Sequence, residues 1–393
     1  MTSLSGPPGV SDVLALFRTT KSLTRADVMR LTGLSRSTVN QRLDALLNAR
    51  MVVPYGEDAP TRGRPAGQFA FNSGRGVLLV ADVGATGLRA ALCDLTGTVC
   101  AEREVTVDVA TGPEPVLATI NGLFGQLLDG RPRADVLGVG IDVPGPVDFA
   151  SGRVVSPPIM NGWDRFDIPG WFAEHYDAPV LVDKDANAMA LGEQRSRHPD
   201  VSHLLMVKVG TGVGSGLIAG GRVHRGADGA AGDIGHIQLT VPEVEDEPLC
   251  RCGNTGCVEA YAGGWALVRD LTAAGKDVRT VNDVVALIRG GDLTAARLLR
   301  RAGRILGGAI ADAVNLFNPR VISIGGQLAH TDEQLFAGIR EVVYRRSLPL
   351  ATRNLLIVRS ELDPRAGLVG LSLLLAEEIF SPARLDRLLA TEV

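Results

Sequence analysis

The sequence predicts an α/β protein in which a small N-terminal winged helix-turn-helix precedes a larger body of two lobes. Three observations support this: a helix, glycine turn, helix pattern near the N-terminus, two glycine-rich loops that each follow an apolar strand, and three closely spaced cysteines. A chain of 393 residues is long enough for two or three domains with a large core. We expect the head to span residues 1–75 and the two lobes to span residues 76–190 and 191–393.

The first two helices of the head are marked by residues that commonly cap helix N-termini. Ser11 precedes one apolar stripe with helical spacing, and Thr24 precedes a second helix over residues 25–31. In this second helix, Val28 and Leu31 are expected to face inward. The turn at Gly33 then separates it from a third helix, which is the order of a helix-turn-helix.

The third helix is the expected DNA-recognition helix, because its outward side chains donate and accept hydrogen bonds at its N-terminal half. These residues are Ser35 (also the expected N-cap), Arg36, Ser37, Thr38, Asn40, Gln41 and Arg42. Strands at residues 51–53 and 68–71 would flank a wing in which Arg62 and Arg64 reach a minor groove. The alternative for the whole head is a protein-binding or purely structural helical bundle. The alternative for the arginines of the wing is an ordinary basic loop.

Charge is distributed unevenly between the head and the body. Residues 1–75 carry a net charge of +5, whereas the whole chain carries −4, so the remainder is strongly acidic. A basic head on an acidic body is expected if only the head meets nucleic acid phosphates.

Two glycine-rich loops predict a pair of related lobes that face one cleft. The first loop follows a strand over residues 77–81, and the second follows a strand over residues 204–209. Backbone N–H groups in such loops can bind phosphate, although glycine also serves tight hairpins. The candidate phosphate-loop residues are Asp82, Gly84, Ala85 and Thr86 in the first loop and Gly210, Thr211, Gly212 and Gly214 in the second.

Cys250, Cys252, Cys257 and the upstream His236 supply the donor set of a closed tetrahedral zinc site. The chain has five cysteines, and their odd number and clustering favour a reduced, cytoplasmic protein over a disulfide framework. The remaining pair, Cys93 and Cys100, is expected to be buried free thiols. No apolar run reaches the roughly 20 residues that a membrane span requires.

Several motifs together resemble the ROK family (repressors, open reading frames and sugar kinases), in its winged-helix repressor branch. They are Asp82-Val-Gly-Ala-Thr86, Val143-Pro-Gly-Pro-Val147, Val182-Asp-Lys-Asp-Ala-Asn187, Gly210-Thr-Gly-Val-Gly214, the stretch 226–236, the cysteine motif through Glu259, and Ile324-Gly-Gly326. The resemblance implies an actin-like or hexokinase-like (ribonuclease H-like) fold with structural zinc and a sugar cleft between the lobes.

The resemblance also implies roles for particular residues. Asp185 matches the general base that activates the sugar hydroxyl in family kinases. The implied sugar-binding residues are Lys184, Asp185, Asp233, His236 and Glu259. His236 would use one ring nitrogen for zinc and turn the other toward the sugar. Gly325 and Gly326 would belong to the nucleotide site.

Four departures from the kinase pattern weaken the case for phosphoryl transfer. Lys184 replaces an asparagine, Asp233 replaces a glutamate, Ile159 stands where a sugar-binding asparagine is usual, and Ala85 replaces a loop glycine. An ion pair between Lys184 and Asp185 is expected to lower the basicity of Asp185. Asp185 is then a vestigial base, or the whole cleft is a structural remnant.

The sequence therefore favours a homodimeric or homotetrameric repressor of genes for sugar uptake or catabolism. It would bind a pseudo-palindromic double-stranded operator and sense a sugar or sugar phosphate. One alternative is a sugar kinase that uses ATP and Mg²⁺ and carries an appended head. Another is a regulator that is controlled by a protein partner. A long helix over residues 292–315 is expected in the second lobe. The family resemblance implies that a terminal helix over residues 367–379 returns to the first lobe near the head.

Overall fold

The computed structural model describes residues 9–56, 67–240 and 247–390. Arg62 and Arg64 lie outside the described residues, so their expected contact with DNA stays a prediction. Among the helices in the described part of the chain, none combines the length and apolar character of a membrane span.

The head consists of three helices and a small antiparallel sheet, in the order of a winged helix-turn-helix. Its elements are α1 (Val10–Thr19), β1 (Leu23–Thr24), α2 (Arg25–Thr32), α3 (Arg36–Asn48), β2 (Val52–Tyr55) and β3 (Gln68–Phe71). The strands lie in the order β1-β3-β2. Thr24 and Asp27 form a reciprocal capping box at α2, and the Ser35 hydroxyl accepts a hydrogen bond from the Thr38 amide at α3.

Two local expectations for the head are wrong. Helix α1 begins at Val10 with Gly9 as its N-cap, so Ser11 lies inside the first turn. Leu31 is 49% exposed instead of inward, because it lies in the last turn of α2 beside Gly33. At Gly33 the chain turns with a left-handed φ of 72°. Val28 alone is buried on α2.

The first lobe contains a five-stranded sheet and its covering helices. Its elements are β4 (Val77–Val83), β5 (Gly87–Cys93), β6 (Val99–Thr106), α4 (Pro113–Leu128), β7 (Val136–Val143), β8 (Val147–Asp148), β9 (Arg153–Val154), α5 (Ile168–Ala173) and β10 (Val180–Lys184). The sheet order is β10-β7-β4-β5-β6, with β4, β7 and β10 parallel and β5 and β6 antiparallel. Helix α6 (Asp185–Arg197) follows β10 directly.

The second lobe repeats this topology. Its elements are β11 (Leu204–Val209), β12 (Val213–Ala219), β13 (Arg222–Val223), α7 (Val258–Ala262), α8 (Gly264–Ala273), α9 (Val281–Arg289), α10 (Leu293–Phe317), β14 (Val321–Gly325), α11 (Glu333–Arg346), α12 (Pro349–Thr352) and β15 (Leu356–Arg359). The order β13-β12-β11-β14-β15 places an antiparallel hairpin beside parallel strands, as in the first lobe. The long helix α10 packs on α11 in this lobe, as expected.

The end of the chain joins the head to the first lobe. Helix α13 (Ala366–Ile379) packs on β4, β7 and α6, and α14 (Pro382–Ala390) contacts α1. Phe380, between these helices, packs edge-to-face on Phe71 of the head with 5.7 Å between ring centroids. The Arg18 guanidinium lies 4.6 Å from the centroid of the same Phe380 ring. The terminal helices thus pack on the first lobe and on the head.

The two isolated cysteines differ in their surroundings. Cys93 is buried in β5, but Cys100 is exposed in β6, so the expectation of two buried thiols is wrong for Cys100. Strand β6 is the edge strand of the first sheet, and one of its faces meets solvent.

Candidate ligand cleft, metal centre and DNA-binding surface

The second glycine loop is bonded to Glu259 in the helix that follows the cysteine cluster. The Val213 amide donates to Oε2 of Glu259 at 2.9 Å, and the Trp265 indole N–H donates to its Oε1 at 3.2 Å. A Cβ atom on Gly212 would lie 2.3 Å from Oε2 of Glu259, so a larger residue there would push this carboxylate out of its position. The buried Glu259 side chain thus holds the loop that contains Gly210, Thr211 and Gly214.

The other candidate phosphate loops also have internal partners. In the first loop, the Gly84 amide donates to the Gly87 carbonyl at 2.8 Å, and the Thr86 side chain is exposed. At the end of β14, after Gly325, the Gly326 amide donates to Oδ2 of Asp363 at 2.5 Å. A cavity of about 310 Å³ lies beside Gly326. Its lining includes Asn282, Arg289, Gln327, His330 and Asp363.

Asp185, the first residue of α6, forms an ion pair across the two lobes. Nζ of Lys208, on β11, lies 2.6 Å from Oδ2 of Asp185. The expected pair between Lys184 and Asp185 is wrong, because Nζ of Lys184 instead donates to the Ala231 carbonyl at 3.2 Å. Burial lowers the pKa of Lys184, and the nearby carboxylates of Asp233, Asp185 and Asp183 partly offset this effect.

Two further carboxylates stand beside this pair at the ends of parallel strands. Asp82 of β4 pairs in register with Asp142 of β7. Asp142 is fully buried, and its Oδ1 accepts a hydrogen bond from the Val83 amide at 3.3 Å. Burial raises the pKa of Asp142, and the adjacent Asp82 and Asp185 raise it further. These carboxylates outweigh the effect of burial on Lys208 and raise its pKa.

A second buried ion pair links the lobes beside the first. Oδ2 of Asp183, on β10, accepts from Nη2 of Arg225 at 2.6 Å and from its Nε at 3.1 Å. The Arg225 guanidinium also lies 3.6 Å from the centroid of the Phe149 ring. Neither Arg225 nor Lys208 was predicted from the sequence as a site residue. Lys208 could have been noticed in the sequence, because it is one of only four lysines and lies just before a glycine-rich loop.

The cysteine cluster brings its four expected ligands together. The donor atoms of His236, Cys250, Cys252 and Cys257 all lie within 4.8 Å of one another. The Cys252 and Cys257 sulfurs are 3.7 Å apart, as are Cys250 Sγ and His236 Nδ1. A tetrahedral ion with Zn–S bonds of about 2.3 Å would separate its sulfurs by about 3.8 Å. The cluster therefore has the size and donors to hold a metal ion. Its last cysteine is the N-cap of α7, which places Glu259 at the second glycine loop.

A family model described as the ROK family matches residues 79–378. The chain belongs to the ROK family. It is 29% identical over 366 residues to the putative xylose repressor of Caldicellulosiruptor sp. (strain Rt8B.4), and the match covers 89% of this chain and 90% of the relative.

Two solved ROK structures resemble the fold to different extents. A ROK family transcriptional regulator described as a homologue of the E. coli MLC protein matches with a TM-score of 0.81 and 27% identity, covering 97% of this chain and 98% of that one. A ROK family glucokinase from Streptomyces griseus, in complex with glucose and AMPPNP, matches with a TM-score of 0.66 and 29% identity, covering 77% and 100%.

The head presents most of its expected recognition residues to solvent. Along α3 and its N-cap, the exposed residues are Ser35, Arg36, Ser37 and Gln41, and the half-buried ones are Thr38, Asn40 and Arg42. The Ser35 hydroxyl lies 2.8 Å from the Thr38 hydroxyl and also caps the helix, so Ser35 has a structural role. Oδ1 of Asn40 and Nη1 of Arg42 are shielded and have no hydrogen-bond partner among the residues that the structure describes.

Proposed function

We propose that this protein is a sequence-specific DNA-binding transcriptional regulator, a cytoplasmic repressor of genes for sugar uptake or catabolism. The main observation behind this proposal is how much of the chain each type of solved ROK structure matches. The match to a ROK transcriptional regulator extends over 97% of the chain, whereas the match to a ROK glucokinase covers 77%. A winged helix-turn-helix head with polar side chains along α3 supports the same conclusion.

The DNA-binding part of the proposal assigns α3 to the major groove. Arg36, Ser37, Thr38, Asn40, Gln41 and Arg42 would contact bases and phosphates, and Arg62 and Arg64 would reach the minor groove. Two heads on a twofold axis would bind a pseudo-palindrome, which requires a homodimer or a homotetramer.

The cleft between the lobes is the proposed effector site. Lys184, Asp185 and Asp233 bring charged donors and acceptors together there, and sugar hydroxyls both donate and accept hydrogen bonds. A sugar or sugar phosphate would bind to these residues, with His236 and Glu259 at the cleft wall. Such a ligand shifts DNA affinity only if it favours one arrangement of the heads over another.

Zinc is the proposed occupant of the metal centre, because three thiolates and one imidazole match its preferred ligands. When bound, zinc would fix the orientation of the His236 ring. It would also tie the segment of Cys250 and Cys252 to the start of α7, and so to Glu259.

Fluorescence anisotropy with labelled promoter fragments tests the DNA-binding proposal. We expect specific binding that weakens steeply with salt and is lost in Gln41→Ala and Arg36→Ala. Binding to an unrelated duplex of the same length is the control. Absence of a specific complex at every salt concentration, over the regulator's own and neighbouring promoters, would reject the proposal.

A sugar kinase that uses ATP and Mg²⁺ is the second candidate, since Asp185 is retained and a ROK glucokinase shares the body. The ion pair between Lys208 and Asp185 opposes it. Sugar-dependent ADP release that is lost in Asp185→Asn would favour the kinase over the sensor.

A further inference from the structure

Three carboxylates from the first lobe converge on one lysine from the second. Lys208 bonds to Asp185, and the charges of Asp82 and Asp142 also act on its ammonium group. A Cβ atom on Gly367 would lie 2.8 Å from Oδ2 of Asp82 and 3.2 Å from Oδ2 of Asp142, so these oxygens meet at one point. That point is the first turn of α13, whose N-terminus favours negative charge.

The cluster is acidic and enclosed, so its charge is compensated by a nearby cation, by a proton on Asp142, whose pKa is raised by burial, or by both. Asp142 is fully buried, and its Oδ2 has no hydrogen-bond partner within the described chain. Burying a carboxylate is costly unless a positive group or hydrogen-bond donors compensate for its lost hydration. Nζ of Lys208 is the compensating charge nearest to Asp185, and the side chain of Lys208 is only 23% exposed.

Carboxylates at strand ends beside glycine-rich loops are the usual ligands of Mg²⁺ in phosphoryl-transfer sites. Asp82, Asp142 and Asp185 have this chemistry. However, an ammonium group within 2.6 Å of Asp185 leaves no room for a metal ion on that oxygen, and its charge repels a divalent cation. The residues present therefore do not fit a nucleotide-bound Mg²⁺.

We propose that Lys208 is the resident cation of this carboxylate cluster and takes the place of a divalent metal ion. The cleft then binds its ligand without Mg²⁺, and Lys208 connects β11 of the second lobe to the start of α6. This inference deepens the proposed sensor role of the cleft, but it rests on the cluster alone. The experiment below uses neither DNA nor sugar, so it can fail while DNA binding stands.

The experiment measures Mn²⁺ binding to the zinc-loaded full chain by electron paramagnetic resonance and by thermal shift. Lys208→Ala and Lys208→Met should each gain one Mn²⁺ site, at least tenfold tighter than any binding to the wild type. The double variant with Asp142→Asn should lose the gained site. Lys208→Arg keeps the charge and should gain none.

Lys276→Met is the matched control, because Nζ of Lys276 lies 2.5 Å from Asp292 in a similar pair outside the cleft. It should gain no Mn²⁺ site.

The proposal is overturned if a folded Lys208 variant binds Mn²⁺ no better than the wild type. It is also overturned if the wild type binds Mn²⁺ in a manner that Asp142→Asn abolishes. If neither Lys208→Ala nor Lys208→Met folds, the Mn²⁺ titration of the wild type decides. Mn²⁺ binding that Asp142→Asn abolishes refutes the proposal, and the absence of such binding supports it.

Discussion

Nη2 of Arg225 lies 2.6 Å from Oδ2 of Asp183, so a buried ion pair joins a loop of the second lobe to the last strand of the first. The Asp183 side chain is 2% exposed, and its Oδ1 also accepts a hydrogen bond from the side-chain amide of Asn187. Removal of Arg225 would leave this carboxylate buried and short of partners, which is the costly way to break such a pair.

Arg225→Ala is therefore expected to lower the free energy of unfolding by about 3–5 kcal/mol. Urea denaturation followed by circular dichroism measures this change. Arg279→Ala is the control, because the Arg279–Asp277 pair is 85% and 91% exposed and should contribute almost nothing. Equal losses in the two variants would contradict the expectation.

Close contact between α6 and α13 depends on a glycine. A Cβ atom on Gly370 would lie 1.7 Å from the Ala188 carbonyl oxygen, and a backbone atom cannot move aside as a flexible side chain can. Gly370→Ala should destabilise the protein by about 3 kcal/mol or more, as overpacking does. Gly125→Ala in α4, with open space around it, should be neutral or stabilising by up to about 1 kcal/mol. Thermal denaturation of the two variants compares these effects.

The two isolated cysteines should differ sharply in reactivity. Burial raises the pKa of Cys93 to about 12, with smaller contributions from Cys100 and Asp94, so its thiol stays protonated at pH 8. Cys100 is exposed. Iodoacetamide at pH 8 should label Cys100 in the native protein and reach Cys93 only after denaturation. Peptide mass spectrometry reads out both sites, and rapid native labelling of Cys93 would contradict the buried position.

Asp27 makes the head sensitive to acid. Hydrogen bonds from Arg30 and then Thr24 lower the pKa of Asp27 to about 2. Because the unfolded value is about 3.9, the stabilisation is fully present above about pH 4 and is lost as the pH falls toward about 2. Asp27→Asn should therefore be less stable than the wild type at pH 7 and lose that difference near pH 2. Denaturant titrations at the two pH values test this, and a constant difference would contradict it.

Loss of the metal centre should affect ligand response before DNA contact. Cys252→Ser removes one of the four clustered donors, which lie far along the chain from α3. We expect loss of bound zinc, a lower melting temperature and weaker ligand-induced change in DNA affinity, with ligand-free DNA binding retained. Cys100→Ser is the control and should keep its zinc. Metal analysis, thermal shift and anisotropy measure the three quantities, and intact ligand response without zinc would contradict the expectation.

Features set by neighbouring residues could be predicted from the sequence. The caps at Thr24 and Ser35 depend on groups three residues away, and the cysteines of the metal centre lie within one short turn. The two glycine-rich loops correctly indicated the repeated sheets. The geometry of each of these features follows from residues that are close together in the sequence, and it does not depend on distant packing.

The partners of charged residues in the cleft could not be predicted in this way. Lys184 is adjacent to Asp185 in sequence, yet Lys208 pairs with Asp185, because the approach of β11 to α6 decides which ammonium group reaches it. Arg225 reaches Asp183 for the same reason. Cys100 is exposed because β6 is at the edge of its sheet, and strand order is not readable from a single strand.

Helix α13 has one end at the carboxylates of the cleft and the other beside the head. Gly367 in its first turn lies against Asp82 and Asp142, and Phe380 just past its last turn packs on Phe71. Fourteen helical residues span about 21 Å, so a tilt of about 5° displaces one end by about 2 Å. Helix α13 therefore connects the carboxylates of the cleft to the head through one continuous helix. In a dimer with the proposed function, a change in its angle would change the spacing of the two recognition helices on DNA.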